Sequence, residues 1–163
     1  MSADTPVTSM CLTRGGRPAF VVNVEVFLER DGRWLLIRRG KREAHAPGTL
    51  AGVGGKVEVD GAGLDVLEET ARREVAEEIG VDITGARLFY VESGFFVTDD
   101  GDPVVNVVFR ATMPPHAQPV AASPEEVEEF LWLTAAEAEG DPDCPPWTSR
   151  SLRRATARTG APA

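Results

Sequence analysis

The sequence predicts one domain of the α/β class, of mixed α+β type rather than a regular βαβ repeat. Segments rich in branched and aromatic residues are separated by turn residues, as in strands. One central segment has the 3.6-residue apolar period of a helix. Hydrophobic residues make up 42% of the 163-residue chain and charged residues 26%, which is the balance of a globular domain. We expect this domain over residues 18–158, between loose tails at 1–17 and 159–163.

The predicted strands lie on both sides of the central helix. The first two, over residues 20–29 and 34–38, are joined by Asp31-Gly32, a dipeptide typical of hairpin turns. A glycine-rich segment over 50–55 predicts a strand end or a tight turn. The remaining elements are expected as strands over 87–97, 104–112 and 129–133, a helical turn over 135–139 and a final helix over 148–157.

The central helix is predicted over residues 66–79. Asp65-Val66-Leu67-Glu68 has the acid-x-x-Glu form of a capping box, so we expect Asp65 to be the N-cap. Gly80 stands where a C-terminal glycine belongs. Ala71, Val75 and Ile79 form one apolar stripe, which we expect to face the core.

Three glutamates, Glu74, Glu77 and Glu78, stand at positions i, i+3 and i+4 and therefore share one face of this helix. Like charges so placed repel one another, and Arg73 can offset only part of the repulsion by pairing with Glu77. Hard divalent cations such as Mg²⁺ bind carboxylate oxygens and would explain the cluster. A solvated acidic face is the alternative.

The surrounding motif favours the metal. Gly54-Gly55-Lys56-Val57-Glu58 precedes the helix, and Arg73-Glu74-Val75-Ala76-Glu77-Glu78-Ile79-Gly80-Val81 ends it. These segments resemble the signature of the MutT/Nudix hydrolase family, whose second half is complete here. The order of elements also resembles that family over about residues 18–158. The resemblance implies an α/β/α sandwich with a mixed central sheet.

One segment departs from the family pattern. The loop over residues 59–64 is four residues longer than usual, and Asp65 stands where the family usually has a glutamate. The helix carboxylates are untouched by this insertion. We therefore expect metal binding to persist, and we assign Asp65 to helix capping rather than to chemistry.

The resemblance implies that Glu74, Glu77 and Glu78 bind Mg²⁺, with Mn²⁺ as a substitute, together with a backbone carbonyl of Gly54 or Gly55. It also implies that Arg73 orients the carboxylates. Glu74 is the first choice for the catalytic base that takes the proton from water. A further metal ligand is expected from the acidic run before residue 130, where we select Glu126 over its rivals Glu125 and Glu129.

Substrate contacts are expected from residues around this centre. The basic residues near it are Arg38, Arg39, Lys41, Arg42 and Lys56. Of these, Arg38 and Lys56 are the candidates for binding phosphate, with a solvated loop as the alternative. Glu58 lies in the same turn and could bind a second metal through water. Trp147 could stack on a base or anchor the last helix, and anchoring is slightly favoured.

The net charge of −9 repels nucleic-acid polymers and anionic membranes, so neither is an expected partner. Residues 1–17 contain no apolar signal segment, which favours the cytoplasm. The predicted partner is a nucleotide-like small molecule, and a homodimer is left open. Cys11 and Cys144 are far apart and in no metal-ligand spacing.

The sequence therefore predicts a Mg²⁺-dependent hydrolase that cleaves the diphosphate linkage of a nucleoside di- or triphosphate by attack of activated water. An isoprenoid-diphosphate isomerase is one alternative, but it needs a catalytic cysteine, and Cys11 and Cys144 lie in peripheral segments. A nucleotide-sensing module with a decayed site is another. All three helix carboxylates are present, which argues against it.

Overall fold

The computed structural model describes residue 12 and residues 14–58 and 63–159. The elements, in chain order, are β1 (Val21–Arg30), β2 (Arg33–Arg39), β3 (Leu50–Ala51), β4 (Val53–Lys56), α1 (Val66–Ile79), β5 (Phe89–Val97), β6 (Pro103–Thr112), β7 (Val127–Leu133), α2 (Ala135–Glu139) and α3 (Pro146–Thr159). The predicted mixed α/β class is confirmed. Much of the predicted tails and most of the lengthened loop lie outside the described residues, so the domain limits stay a prediction.

Seven strands form one mixed sheet with the order β3-β2-β1-β6-β5. The central pair, β1 and β6, is parallel, with Val21 opposite Val104 and Glu29 opposite Thr112. The other pairs are antiparallel, and they include β4 on β1 and β7 on β2. The sheet is therefore mixed, as the resemblance implied.

The two faces of the sheet bury two separate apolar clusters. Val24, Val26 and Leu28 of β1 pack with the apolar stripe of α1. Phe27 points to the other face, where it packs with Leu152 of α3. Side chains alternate between the faces of a strand, so odd-numbered residues of β1 such as Glu25 lie on the α3 face. Helices cover both faces, which gives the α/β/α sandwich.

Helix α1 begins differently from the prediction and ends as predicted. Asp65 is in the left-handed conformation (φ 53°), and within the described chain its side chain makes no capping hydrogen bond. A capping side chain normally requires extended backbone at this residue, so the predicted capping box is wrong. At the other end Gly80 is left-handed (φ 66°), and its N–H donates to the Ala76 carbonyl at 3.0 Å.

The first hairpin turn is confirmed. Asp31 and Gly32 both have positive φ, at 53° and 76°, which is the backbone that a two-residue hairpin turn requires. The Glu29 carboxylate accepts the Gly32 N–H at 2.6 Å and fixes the turn. Among the described residues, none of the helices is both long and apolar enough to span a membrane.

Candidate active site

Helix α1 packs directly onto the glycine turn of β4. Within the antiparallel β1–β4 pair, Val24 faces Gly55 and Glu25 faces Gly54. A Cβ atom added at Gly55 would overlap the carboxylate of Glu74. Glycine at this position therefore lets a helix carboxylate lie against the strand backbone, where the carbonyl groups of the turn are close by.

Arg73 joins two of the carboxylates to β4. Its guanidinium contacts Glu74 Oε1 at 2.7 Å and Glu77 Oε2 at 2.9 Å. It also donates to the Lys56 carbonyl at 3.0 Å. The predicted i,i+4 pair with Glu77 is present, and the orienting role of Arg73 stays a prediction. The side chain of Lys56 is exposed, so this residue contributes its backbone here.

Glu78 is buried, with 8% of its surface exposed, and its Oε2 has no hydrogen-bond partner among the described residues. Burial, followed by the charges of Glu74 and Glu126, raises the pKa of Glu78 to about 8, while Arg39 and the Gly54 N–H oppose the rise. Burial is also the largest cause of a raised pKa at Glu74. A buried, unpaired carboxylate oxygen is costly and is a suitable ligand for a hard cation.

Glu126 belongs to the same electrostatic group, since its charge raises the pKa of both Glu74 and Glu78. Its loop is held by the Gly40 N–H, which donates to the Glu126 carbonyl at 2.9 Å. A Cβ atom at Gly40 would overlap the Glu125 carbonyl, so only glycine permits this approach. The rival Glu129 is paired with Arg38 instead. Sequence analysis did not identify Gly40, which has no local motif around it.

The donor set fits a divalent cation in its chemistry. As the side chains stand, however, no group of three or more histidine, cysteine, aspartate or glutamate side chains in the described part of the chain is arranged to hold an ion. Part of the reason is that Arg73 draws Glu77 toward itself. The exposed Glu58 lies at the end of the described turn. The ligand set of Glu74, Glu77, Glu78, Gly55 and Glu126 stays a prediction.

Neighbouring arginines have different surroundings, and the phosphate contact of Arg38 stays a prediction. The Arg38 guanidinium is bound by Glu129 at 2.9 Å and by Asp143 at 2.8 Å. Arg39 lines the cavity beside the carboxylates, held by Glu43 at 2.9 Å and by the His45 carbonyl at 3.1 Å. A register shift between Arg38 and Arg39 breaks the alternation of β2. Strand periodicity cannot reveal such a bulge.

A cavity of about 460 Å³ lies on the α3 face of the sheet. The α1 carboxylates do not line it, but Arg39 and Gly54 do, and both of these residues also interact with Glu78. Its polar lining includes Asn23, Glu25 and Asn106. The rings of His45 and Phe96 stack at its wall, 5.1 Å apart and inclined by 15°. The cavity therefore offers polar groups and flat aromatic surfaces next to the acidic centre.

Trp147 lines the same cavity and is 49% exposed. The favoured role as an anchor of the last helix does not fit this exposure. Instead, α3 is anchored by the buried Leu152 and Ala155 and by Thr148, whose hydroxyl donates to the Leu50 carbonyl at 3.0 Å. Base stacking by Trp147 stays a prediction, and its place in the cavity wall is compatible with that role.

Cys144 is separated from α1 by the sheet. It packs at the edge of the cluster formed by Phe27, Leu36 and Leu152 on the opposite face. Burial, with the charge of Asp141, raises the pKa of the Cys144 thiol to about 11, so the thiol is protonated at neutral pH. Cys11 lies outside the described residues.

A family model described as "NUDIX domain" matches residues 19–155. The chain belongs to the NUDIX family. The resemblance drawn from the glycine turn and the helix motif is confirmed, and so is the Nudix fold. Membership of this family supports the assignment of the chain as a hydrolase that acts on pyrophosphate-containing compounds.

Relatives of this NUDIX chain carry names that indicate more than one activity. An isopentenyl-diphosphate Delta-isomerase of Jannaschia sp. is 32% identical over 141 residues, which cover 80% of this chain and 76% of that protein. A MutT NUDIX hydrolase from Burkholderia pseudomallei superposes with a TM-score of 0.69 at 24% identity, over 83% of this chain and 98% of that one. The NUDIX domain of Shewanella oneidensis NrtR, in complex with ADP ribose, superposes with a TM-score of 0.66 at 18% identity. The superposition covers 90% of this chain and 93% of that one.

Proposed function

We propose that this NUDIX chain is a Mg²⁺-dependent hydrolase that cleaves the diphosphate linkage of a nucleoside di- or triphosphate. The observation that carries the proposal is the junction of the acidic centre with the cavity. Buried carboxylates of α1 lie on one face of the sheet, and a space of about 460 Å³ with polar and aromatic walls lies on the other. Arg39 and Gly54 join the two, since they line the space and also interact with Glu78. A diphosphate at the carboxylates would place its nucleoside in the cavity.

We assign each residue a proposed role according to its surroundings. Glu74, Glu77 and Glu78, with Glu126 and the Gly55 carbonyl, are the proposed ligands of Mg²⁺. When bound, the cation neutralises diphosphate oxygens and lowers the pKa of a coordinated water. Glu74 is the proposed base, and Arg73 holds its carboxylate at 2.7 Å. Arg39 supplies the positive charge that a phosphate at the mouth of the cavity would contact.

The isomerase alternative has the support of a relative at 32% identity. Its substrate carries a short apolar chain, which offers no donor to the lone pairs of Glu25 that the bonds from Asn106 and Gly52 leave open. The protonated thiol of Cys144 lies across the sheet from α1 and is not among the described residues that line the cavity. Both observations favour a nucleotide.

A substrate panel tests the proposal. The protein is incubated with nucleoside triphosphates, nucleoside diphosphate derivatives and isopentenyl diphosphate, with Mg²⁺ or with a chelator, and products are resolved as phosphate, pyrophosphate and nucleotide. We expect Mg²⁺-dependent release of a nucleotide product. Conversion of isopentenyl diphosphate to its isomer would establish the alternative. Tight nucleotide binding without turnover would indicate a sensing module.

A further inference from the structure

Two neighbouring strands form a hydrogen-bonded array in the cavity, which we call the amide–carboxylate array (Asn23, Glu25 and Asn106). Asn23 and Asn106 are partners in the parallel β1–β6 register, and Asn23 Nδ2 donates to Asn106 Oδ1 at 2.8 Å. Asn106 Nδ2 donates to Glu25 Oε2 at 3.1 Å. The Gly52 N–H donates to Glu25 Oε1 at 2.9 Å. Both oxygens of Glu25 are therefore fixed in position.

Glu25 retains acceptor capacity after these bonds. A carboxylate offers about four lone-pair positions, and the array fills one on each oxygen. Glu25 lines the cavity, so a ligand there can reach its carboxylate. The carboxylate is buried, and this burial raises its pKa. A poorly solvated acceptor gains most from a ligand that donates to it.

A second carboxylate that lines the cavity, Glu92, is already neutralised. Arg154 contacts Glu92 Oε2 at 2.8 Å, and the Ser151 hydroxyl donates to Glu92 Oε1 at 2.6 Å. These bonds tie β5 to α3. The two carboxylates thus differ, since the hydrogen-bond donors to Glu25 are neutral amides, whereas Glu92 pairs with the cationic Arg150 and Arg154. Glu25 is the acceptor left for a ligand.

The walls of the cavity select the shape of that ligand. His45 and Phe96 stack with nearly parallel rings, and Trp147 lines the same space. Aromatic side chains stack on any flat ring and do not by themselves distinguish one base from another. Discrimination among bases must therefore come from hydrogen bonds to the ring edge.

We propose that Glu25 is a specificity-determining residue, whose carboxylate accepts hydrogen bonds from adjacent N–H groups on the edge of the substrate's base. Guanine presents two such donors side by side. Adenine and cytosine present one amine next to an acceptor nitrogen, and uracil presents one N–H between two carbonyl oxygens that a carboxylate repels. The order of preference is guanine, then adenine and cytosine, then uracil. The inference rests on the proposed nucleotide substrate.

Binding of nucleoside monophosphates without divalent cation tests this role separately from catalysis. Calorimetric titrations compare GMP, AMP, CMP and UMP on the parent protein and on Glu25→Gln. Because a bidentate pair discriminates by about tenfold or more, we expect the parent to bind GMP at least that much more tightly than UMP. In Glu25→Gln one acceptor oxygen becomes a donor, so the GMP preference falls to about threefold or less.

Glu29→Gln is the matched control. Glu29 lies on the same strand and accepts a backbone N–H, that of Gly32 at 2.6 Å, but it lies at the hairpin turn. This variant should keep the parental GMP to UMP ratio. Melting temperatures verify folding, and Asn106→Ala, which removes one bond to Glu25, serves as a second variant with the same expected loss of preference.

Three results would overturn the inference. They are a parental ratio near one, a Glu25→Gln ratio equal to the parental one, and no measurable GMP binding at millimolar concentration. These outcomes concern recognition of the base alone. If the preference for GMP holds but no nucleotide is hydrolysed with Mg²⁺, the proposed function fails and the role of Glu25 stands.

Discussion

The carboxylates of α1 and the amide–carboxylate array lie on opposite faces of one sheet and are assembled in different ways. Glu74, Glu77 and Glu78 come from a little more than one turn of a single helix. The array joins Asn23 to Asn106, which are 83 residues apart. A local motif can specify the first group. Only the completed sheet brings the second together, so the proposed chemistry depends on local sequence and the proposed selectivity depends on topology.

The largest effect is expected in α1. Replacing Glu74, Glu77 or Glu78 singly by Gln keeps side-chain shape and helix propensity. Removing one preorganised group that stabilises transition-state charge typically lowers turnover by about 10²–10³. We expect losses of that size for the buried Glu74 and Glu78, measured as kcat with Mg²⁺ on a substrate that the parent cleaves.

Glu69→Gln is the control for these variants, since Glu69 is an exposed carboxylate of the same helix that pairs with Arg72. It should leave turnover unchanged. Mg²⁺ should also raise the melting temperature of the parent more than that of the three site variants, because only the folded state binds the ion. Near-parental turnover in all three variants of Glu74, Glu77 and Glu78 would show that these α1 carboxylates do not form the metal centre.

The adjacent arginines give the next effect. Arg39→Ala removes a cavity-lining charge, and we expect KM to rise about tenfold, as for a charge-assisted hydrogen bond. Arg38→Ala breaks surface ion pairs with Glu129 and Asp143, which are worth about 0–1 kcal/mol, so KM should change by less than about threefold. Steady-state kinetics on both variants measures the difference, and a larger KM effect at Arg38 would reverse the assignment.

Trp147→Ala tests the aromatic side of the cavity. Loss of a stacking partner worth about 1–3 kcal/mol should raise KM by about tenfold. The melting temperature should hold, because the side chain is half exposed. Trp34→Phe is the contrasting variant, since Trp34 is buried and its Nε1 donates to Thr156 Oγ1 at 3.1 Å. There the melting temperature should fall and KM should hold.

The last effect is on stability rather than on kinetics, and it concerns Glu78. Its pKa is raised from 4.5 to about 8 in the folded protein, so the folded state holds the proton more tightly than the unfolded state. The resulting stabilisation is complete below pH 4.5 and is lost as pH rises through about 8. Without metal, the melting temperature of the parent should fall over this range more than that of Glu78→Gln. If the melting temperatures of the parent and of Glu78→Gln depend on pH in the same way, the raised pKa of Glu78 is contradicted.

Elements governed by neighbours in sequence could be predicted. The helix over Val66–Ile79, its end at Gly80 and the Asp31-Gly32 turn agree with the prediction, because helix period, C-terminal glycine and turn backbone are local properties. The capping box at Asp65 failed because its residue types alone do not determine the backbone conformation, which is left-handed here.

Contacts between distant segments could not be predicted. Arg38 was selected over Arg39 because a bulge in β2 has no sequence signature here. Gly40 lets the loop that carries Glu126 pack against its backbone, because a Cβ atom there would overlap the Glu125 carbonyl. Residues 40 and 125 are distant in sequence, so this contact has no local signal. Glu25 and Asn106 belong to segments that look like ordinary strands. Their function depends on the parallel pairing of β1 with β6, which no spacing along the chain indicates.

The parallel pairing of β1 with β6 has a consequence for the rate of folding. The strands β1 and β6 are neighbours in the sheet, but the chain between them contains β2, β3, β4, α1 and β5. Closing so long a loop delays contact formation, and non-local strand pairs slow folding. Hairpin β1–β2 and helix α1 can form early from local contacts. The proposed base selectivity needs Asn106 beside Asn23. We therefore expect a nascent chain to gain it late in folding, when β6 docks.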